Sequence, residues 1–202
     1  MEYYHDLVTQ KSFSELQNLK KLLNFVLIGG WAVYLYTNAL KSKDIDIIVG
    51  FEKLPLLKEY YTVLKNDRLK KYEAIKEEVQ IDIYLPHYSN LAIPVEDLIS
   101  QTQIIEGFTI LEPNFLSVLK IYLLSQRGRS AKGRKDFLDF LSLTMAKKCN
   151  LPEIKQILKK YHLATALNQL KDFLNEQTQI PELNLSTHSY PKIKKMVLSG
   201  LL

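Results

Sequence analysis

The 202-residue sequence predicts an α/β (α+β) fold, a small mixed sheet with flanking helices followed by a helical C-terminal module. Three observations lead there. Short apolar runs and alternating segments fill the first half, helical spacing dominates the second, and the change of character falls at Glu112-Pro113. The expected domains are therefore 1–111 and 112–202. Apolar side chains make up 47% of the chain, enough for a core at this length without metal or disulfide staples.

In chain order, Phe13, Leu16, Leu19, Leu22 and Leu23 recur at helical spacing from Ser12 to Leu23, with Ser12 or Ser14 as the cap. Phe25 to Ile28 reads as a short buried strand stopped by Gly29-Gly30, and Trp31 to Ala39 as the helix that follows, its tryptophan wedged against the sheet. Asp44 to Val49 is a second strand. Phe51 to Leu64 is expected to be a helix interrupted or begun near Pro55, since proline is accepted in a first turn but not in an interior. Lys71–Lys76 and Val79–Leu85 form two strands with a hairpin about Lys76-Glu77-Glu78; in the second, Val79, Ile81, Ile83 and Leu85 share the core face and Asp82 and Tyr84 the other. Val95–Leu98 suggests a short helix, and Ile104–Leu111 one edge strand that includes Gly107.

After Pro113, helices are expected at Phe115–Gln126, at about Arg134–Lys147, at Pro152–Tyr161 and at about Ala164–Asn175, with Pro181 and Pro191 punctuating a polar tail. Between the first two, the Arg127–Lys135 stretch holds five basic residues and two glycines. It reads either as a mobile loop that contacts phosphates or as a merely solvated one.

The formal net charge of +5 makes an anionic partner plausible without requiring one. A single cysteine, Cys149, cannot form an internal disulfide and reads as inert, and the four scattered histidines offer no zinc spacing. No basic-then-apolar leader is present and no apolar run approaches about 18 residues, so the expectation is a cytoplasmic protein with no membrane span.

Three carboxylates occupy polar positions inside apolar strand patterns. Asp44 and Asp46 lie on one side of one strand, and Asp82 lies away from the core face of another. If those strands are neighbours, the three acids converge on one edge of the sheet and offer hard oxygen ligands to divalent cations. The residues alone also fit a strand cap and two solvated acids. Gly29-Gly30 permits a tight turn and close approach of a phosphate to a helix start. It matches neither the Walker loop nor the Gly-x-Gly-x-x-Gly fingerprint.

The run Leu27-Ile28-Gly29-Gly30-Trp31-Ala32, the later Ser42-Lys43-Asp44-Ile45-Asp46 and the distal Ile81-Asp82-Ile83 resemble the active-site signature of the polymerase-beta-like nucleotidyltransferase superfamily. Within it, the chain looks most like the minimal nucleotidyltransferases of the abortive-infection (AbiEii) toxin type. The resemblance implies a nucleotidyltransferase-like sheet in which Gly29 and Gly30 hold the triphosphate and Ser42 and Lys43 join the nucleotide-binding set. It also implies that Asp44, Asp46 and Asp82 are catalytic metal ligands, Asp82 being the hydroxyl activator. Many relatives place arginine two residues before the Ser or Thr that leads into the first acid, where this chain has Leu40.

A second match lies in Leu119-Lys120, Gln126-Arg127 and Arg134-Lys135-Asp136-Phe137-Leu138-Asp139, which looks like the Lys…Arg…Lys/Arg-Asp-x-x-Asp pattern of toxin-type relatives. It implies donor contacts from Lys120, Arg127 and Lys135, with Asp136 and Asp139 orienting basic groups or the nucleotide. The same residues also fit a charged surface or an interhelical ion-pair network.

The expected function is transfer of a nucleoside monophosphate from an NTP to a hydroxyl on RNA, protein or a small molecule, releasing pyrophosphate, with Mg2+ or Mn2+ as cofactor. An antitoxin-like partner accompanies the toxin-type likeness. A non-catalytic nucleotide or RNA binder and a toxin–antitoxin interaction protein are the competing readings.

Overall fold

A computed structural model of the chain describes residues 6–201. The described residues form two compact units that divide between Glu112 and Pro113. The first contains α1 (Asp6–Leu22), β1 (Val26–Ile28), α2 (Gly29–Thr37), β2 (Ile45–Ile48), α3 (Leu54–Tyr60), β3 (Thr62–Asn66), β4 (Lys71–Lys76), β5 (Val79–Tyr84), α4 (Val95–Ile99), β6 (Thr102–Ile105) and β7 (Phe108–Leu111). The strands build one mixed sheet in the order β3-β4-β5-β2-β1-β7-β6. β1 is antiparallel to β2 and parallel to β7, and β2 is parallel to β5.

Alternation in β5 decides the faces as its sequence predicts: Val79, Ile81 and Ile83 are buried, while Gln80, Asp82 and Tyr84 are half-buried on the other side. Ile45 and Ile47 of β2 stand beside Ile81 and Ile83 and are fully buried with them. α1 packs on β5, and α2 packs on β1 and β2. Trp31 does wedge this unit together: it is 1% exposed, its Nε1 donates to Ser12 Oγ at 2.9 Å, and its ring lies 5.0 Å from that of Phe13.

Three expectations fail in this unit. α1 already runs from Asp6, so Ser12 and Ser14 lie inside the helix and neither caps its start. The Phe51–Leu64 helix is a 3-10 turn (Phe51–Lys53) and α3, after which the chain turns at Tyr61 into β3. Thr62–Leu64 are strand because β4 offers a full antiparallel edge, pairing Thr62 with Ile75 and Leu64 with Glu73. Ile104–Leu111 is a hairpin rather than one edge strand. It reverses at Glu106-Gly107, both at positive φ, so β7 sits inside the sheet beside β1 and β6 forms the edge on that side.

The second unit contains α5 (Pro113–Arg127), α6 (Ala131–Met145), α7 (Leu151–Lys160), α8 (Ala166–Glu176) and α9 (Tyr190–Leu201). α5 packs against α6, α7 and α8, with Val118, Ile121 and Leu124 fully buried against a layer that includes Phe137, Phe140, Leu158 and Leu170. The basic Arg127–Lys135 stretch is mostly helix. α5 runs through Arg127 and α6 starts at Ala131, capped by Ser130, whose Oγ accepts from Gly133 N at 3.1 Å. The tail beyond Pro181 is not merely polar: Pro191 occupies the first turn of α9, and Tyr190 buries its ring and donates to the Leu174 carbonyl at 2.8 Å. Among the described residues no helix is long and apolar enough to cross a membrane.

Candidate active site

The strand, glycine turn and helix around Gly29 carry the first half of the site. Gly29 has φ +70°, and a Cβ built on it would lie 2.0 Å from Asp46 Oδ2. Glycine is therefore required twice, for the left-handed turn and for the carboxylate of the neighbouring strand to lie against the backbone. α2 begins at this residue, and the first N–H groups of a helix have no partner within it. Gly30 is buried at the same turn.

β2 and β5 carry the second half. Asp46 is the register partner of Ile28 on β1 and of Asp82 on β5, so the two carboxylates stand side by side across neighbouring strands. Asp44 lies one residue ahead of β2 and is half-buried, as is Lys43. Ser42 is buried, and its hydroxyl donates to the Asp44 carbonyl at 3.0 Å, which pins the turn leading into β2.

Asp82 is held on both oxygens. Lys71 Nζ is 2.6 Å from Oδ2, and Gln80 Nε2 donates to Oδ1 at 2.8 Å. The same ammonium reaches Glu73 Oε1 at 3.0 Å, and Asn66 Nδ2 donates to that oxygen at 2.9 Å. The Lys71 side chain is 8% exposed and that of Asp82 14%. Desolvation works to lower the Lys71 pKa, but the Asp82 and Glu73 carboxylates outweigh it and hold the ammonium above its ordinary value. Lys71 and Glu73 are absent from the sequence-derived set. Their signal lies in the β4–β5 hairpin: a turn at Glu77-Glu78 pairs Lys76 with Val79 and therefore Glu73 with Asp82.

Among the described residues no group of three His, Cys, Asp or Glu side chains is arranged to hold a metal ion. Asp82 is instead paired with Lys71 of β4. Asp46 is the acid seated against the Gly29 backbone, and Asp44 precedes it by two residues at the entry to β2.

The helical unit gathers the remaining sequence-derived residues into one network. Lys120 Nζ lies 3.0 Å from Asp136 Oδ1 and 2.8 Å from Asp139 Oδ2. Arg127 Nη1 lies 2.8 Å from Asp136 Oδ2, and Lys135 pairs with Asp139 Oδ1 one helical turn on. Both aspartates are buried, and only the Arg127 side chain, 38% exposed, reaches solvent substantially. Desolvation pulls the Lys135 pKa below its ordinary value in spite of Asp139. Cys149 is half-buried, and burial raises its thiol pKa, in keeping with an inert residue.

The sequence matches no protein-family model and no curated protein. Among solved structures, JHP933 from Helicobacter pylori aligns over 95% of this chain and 94% of its own at 18% identity, with a TM-score of 0.50. The antibiotic-resistance factor ANT(2'')-Ia aligns over 80% of this chain and 92% of its own at 13% identity, TM-score 0.50. The Megavirus polyadenylate synthase aligns over 66% of this chain at 14% identity and TM-score 0.46, and the chain spans only 31% of its length. At these identities the likeness is one of fold. The shared fold is a mixed sheet with flanking helices followed by a helical module.

Proposed function

We propose that the chain is a metal-dependent nucleotidyltransferase: an acceptor hydroxyl attacks the α-phosphorus of an NTP, a nucleoside monophosphate is joined to the acceptor oxygen, and pyrophosphate leaves. The observation that carries this reading is the seating of Asp46 against Gly29, in register with Asp82. Asp44 and Asp46 are the residues that would hold Mg2+ or Mn2+, which when bound neutralises developing charge on the phosphates. The backbone at Gly29 and Gly30 is assigned to the triphosphate, with Ser42 ordering the turn beside it and Lys43 adding positive charge. Asp82, oriented by Lys71 and Gln80, is assigned to the acceptor hydroxyl and its proton. In the helical unit, Lys120, Arg127 and Lys135 outnumber Asp136 and Asp139 by one charge, and Arg127 is the member that reaches solvent. The same motif carries the toxin-type assignment and, with it, a protein antitoxin as partner.

The test is covalent incorporation from each of the four α-phosphate-labelled NTPs into RNA, protein and a small-metabolite pool, with Mg2+ or Mn2+ and an EDTA control. Label confined to one pool, dependent on metal and lowered on the order of a hundredfold or more in folded Asp46→Asn, supports the reading and names the acceptor class. Undiminished transfer in that variant, or no label in any pool, overturns it.

A further inference from the structure

The acid on β5 already has a cation. Lys71 comes from β4, the strand hydrogen-bonded to β5, and its ammonium lies 2.6 Å from Asp82 Oδ2 and 3.0 Å from Glu73 Oε1. Gln80 takes the other Asp82 oxygen at 2.8 Å, and Asn66 steadies Glu73 at 2.9 Å. The register explains the assembly: Asp82 and Glu73 are opposite one another, and Lys71 is the next residue of β4 on the same face. With the nearly enclosed ammonium 2.6 Å from one Asp82 oxygen and Gln80 on the other, ligation of a divalent ion by Asp82 sets a dication beside an almost buried ammonium.

On the reading that Asp44 and Asp46 form a divalent-cation site, we propose that Lys71 is a built-in substitute for metal at Asp82. It is a positioning residue that orients the carboxylate toward the acceptor side and confines divalent-cation binding to Asp44 and Asp46. Glu73 and Gln80 complete the clamp. The hairpin thereby separates the two tasks that three clustered acids otherwise share: metal binding falls to β2 and the turn before it, and acceptor orientation to β5.

The test reads Mn2+ binding to the full chain by electron paramagnetic resonance of free Mn2+, with no nucleotide and no turnover. Asp82→Asn is expected to bind Mn2+ as the wild type does, whereas Asp46→Asn is weakened about tenfold or more. Lys71→Met, which releases Asp82, is expected to tighten Mn2+ binding about tenfold, an increase abolished in Lys71→Met/Asp82→Asn. Lys71→Arg keeps the cation and restores wild-type binding. A purely structural lysine gives neither the gain nor the rescue. Weakened Mn2+ binding in Asp82→Asn, or no gain in folded Lys71→Met, overturns the proposal; if Lys71→Met does not fold, the Asp82→Asn comparison decides alone. Transfer activity is scored separately: Mn2+ binding that follows Lys71 as stated, without any NMP transfer, overturns the nucleotidyltransferase reading and leaves this assignment standing. Transfer with Asp82-dependent Mn2+ binding does the reverse.

Discussion

At the scale of single residues, Gly29 is the position at which backbone and chemistry meet. Any side chain there pays the left-handed penalty and collides with the Asp46 carboxylate. Gly29→Ala is expected to lose about 1–2 kcal/mol in urea unfolding from the backbone alone, with transfer falling further because Asp46 must move. Glu15 is a second informative residue. It is 8% exposed and accepts hydrogen bonds from Tyr61 Oη at 2.6 Å, Lys76 Nζ at 3.2 Å and Asn18 Nδ2 at 3.3 Å. Burial works to raise its carboxyl pKa, but these hydrogen bonds outweigh it and the pKa lies below the ordinary 4.5. A carboxyl lowered on folding stabilises the fold fully above its unfolded value and loses that contribution as pH falls through the folded value. Wild-type stability should therefore drop with acid below about pH 4.5, and Glu15→Gln should flatten that limb in urea titrations at fixed pH. Tyr61→Phe should cost about 1.5–3 kcal/mol at neutral pH, since it removes a hydrogen bond to a charged group.

At the scale of elements, caps and register carry the argument. Ser130 closes the first turn of α6 on Gly133, so Ser130→Ala should cost about 1 kcal/mol, measured by chemical unfolding. Gly133 is itself constrained, because a Cβ there would lie 2.0 Å from the Gly128 carbonyl oxygen. The basic run between α5 and α6 is thus a short turn running into a capped helix, and serine-capped periodicity was the signal that could have shown it. Strand identity was legible where alternation was clean, as in β5, and where a two-residue turn set the β4–β5 register. It was illegible at β3, where Thr62–Leu64 follow directly on a helical segment and become strand only because β4 presents an unpaired edge. It was half legible at Ile104–Leu111, where Gly107 was visible but its role as a reversal was not.

At the scale of the whole molecule, each unit carries its own core and its own set of buried charges. In the helical unit, Asp139 is fully buried between two ammonium groups, Lys120 and Lys135. Asp139→Asn leaves those cations short of one negative charge in a desolvated place, and should destabilise the protein by about 3–5 kcal/mol in thermal or chemical unfolding. Replacing exposed Arg129, which pairs with Glu176 at the surface, should change stability by less than about 1 kcal/mol. Much of the candidate site could be read from sequence, since Gly29, Gly30, Asp44, Asp46 and Asp82 stand out as polar or glycine breaks in apolar strand patterns. Alternation along a strand depends only on that strand's own residues, so the chain alone specifies the individual strands, the glycine turn and the faces bearing the acids. Which strand lies beside which depends on hydrogen bonds between residues far apart in the chain, and how deep a charge lies depends on everything packed over it. Tertiary structure alone therefore decided that β7 sits inside the sheet, that Lys71 occupies Asp82, and that the Lys120–Asp139 motif is a buried ion network.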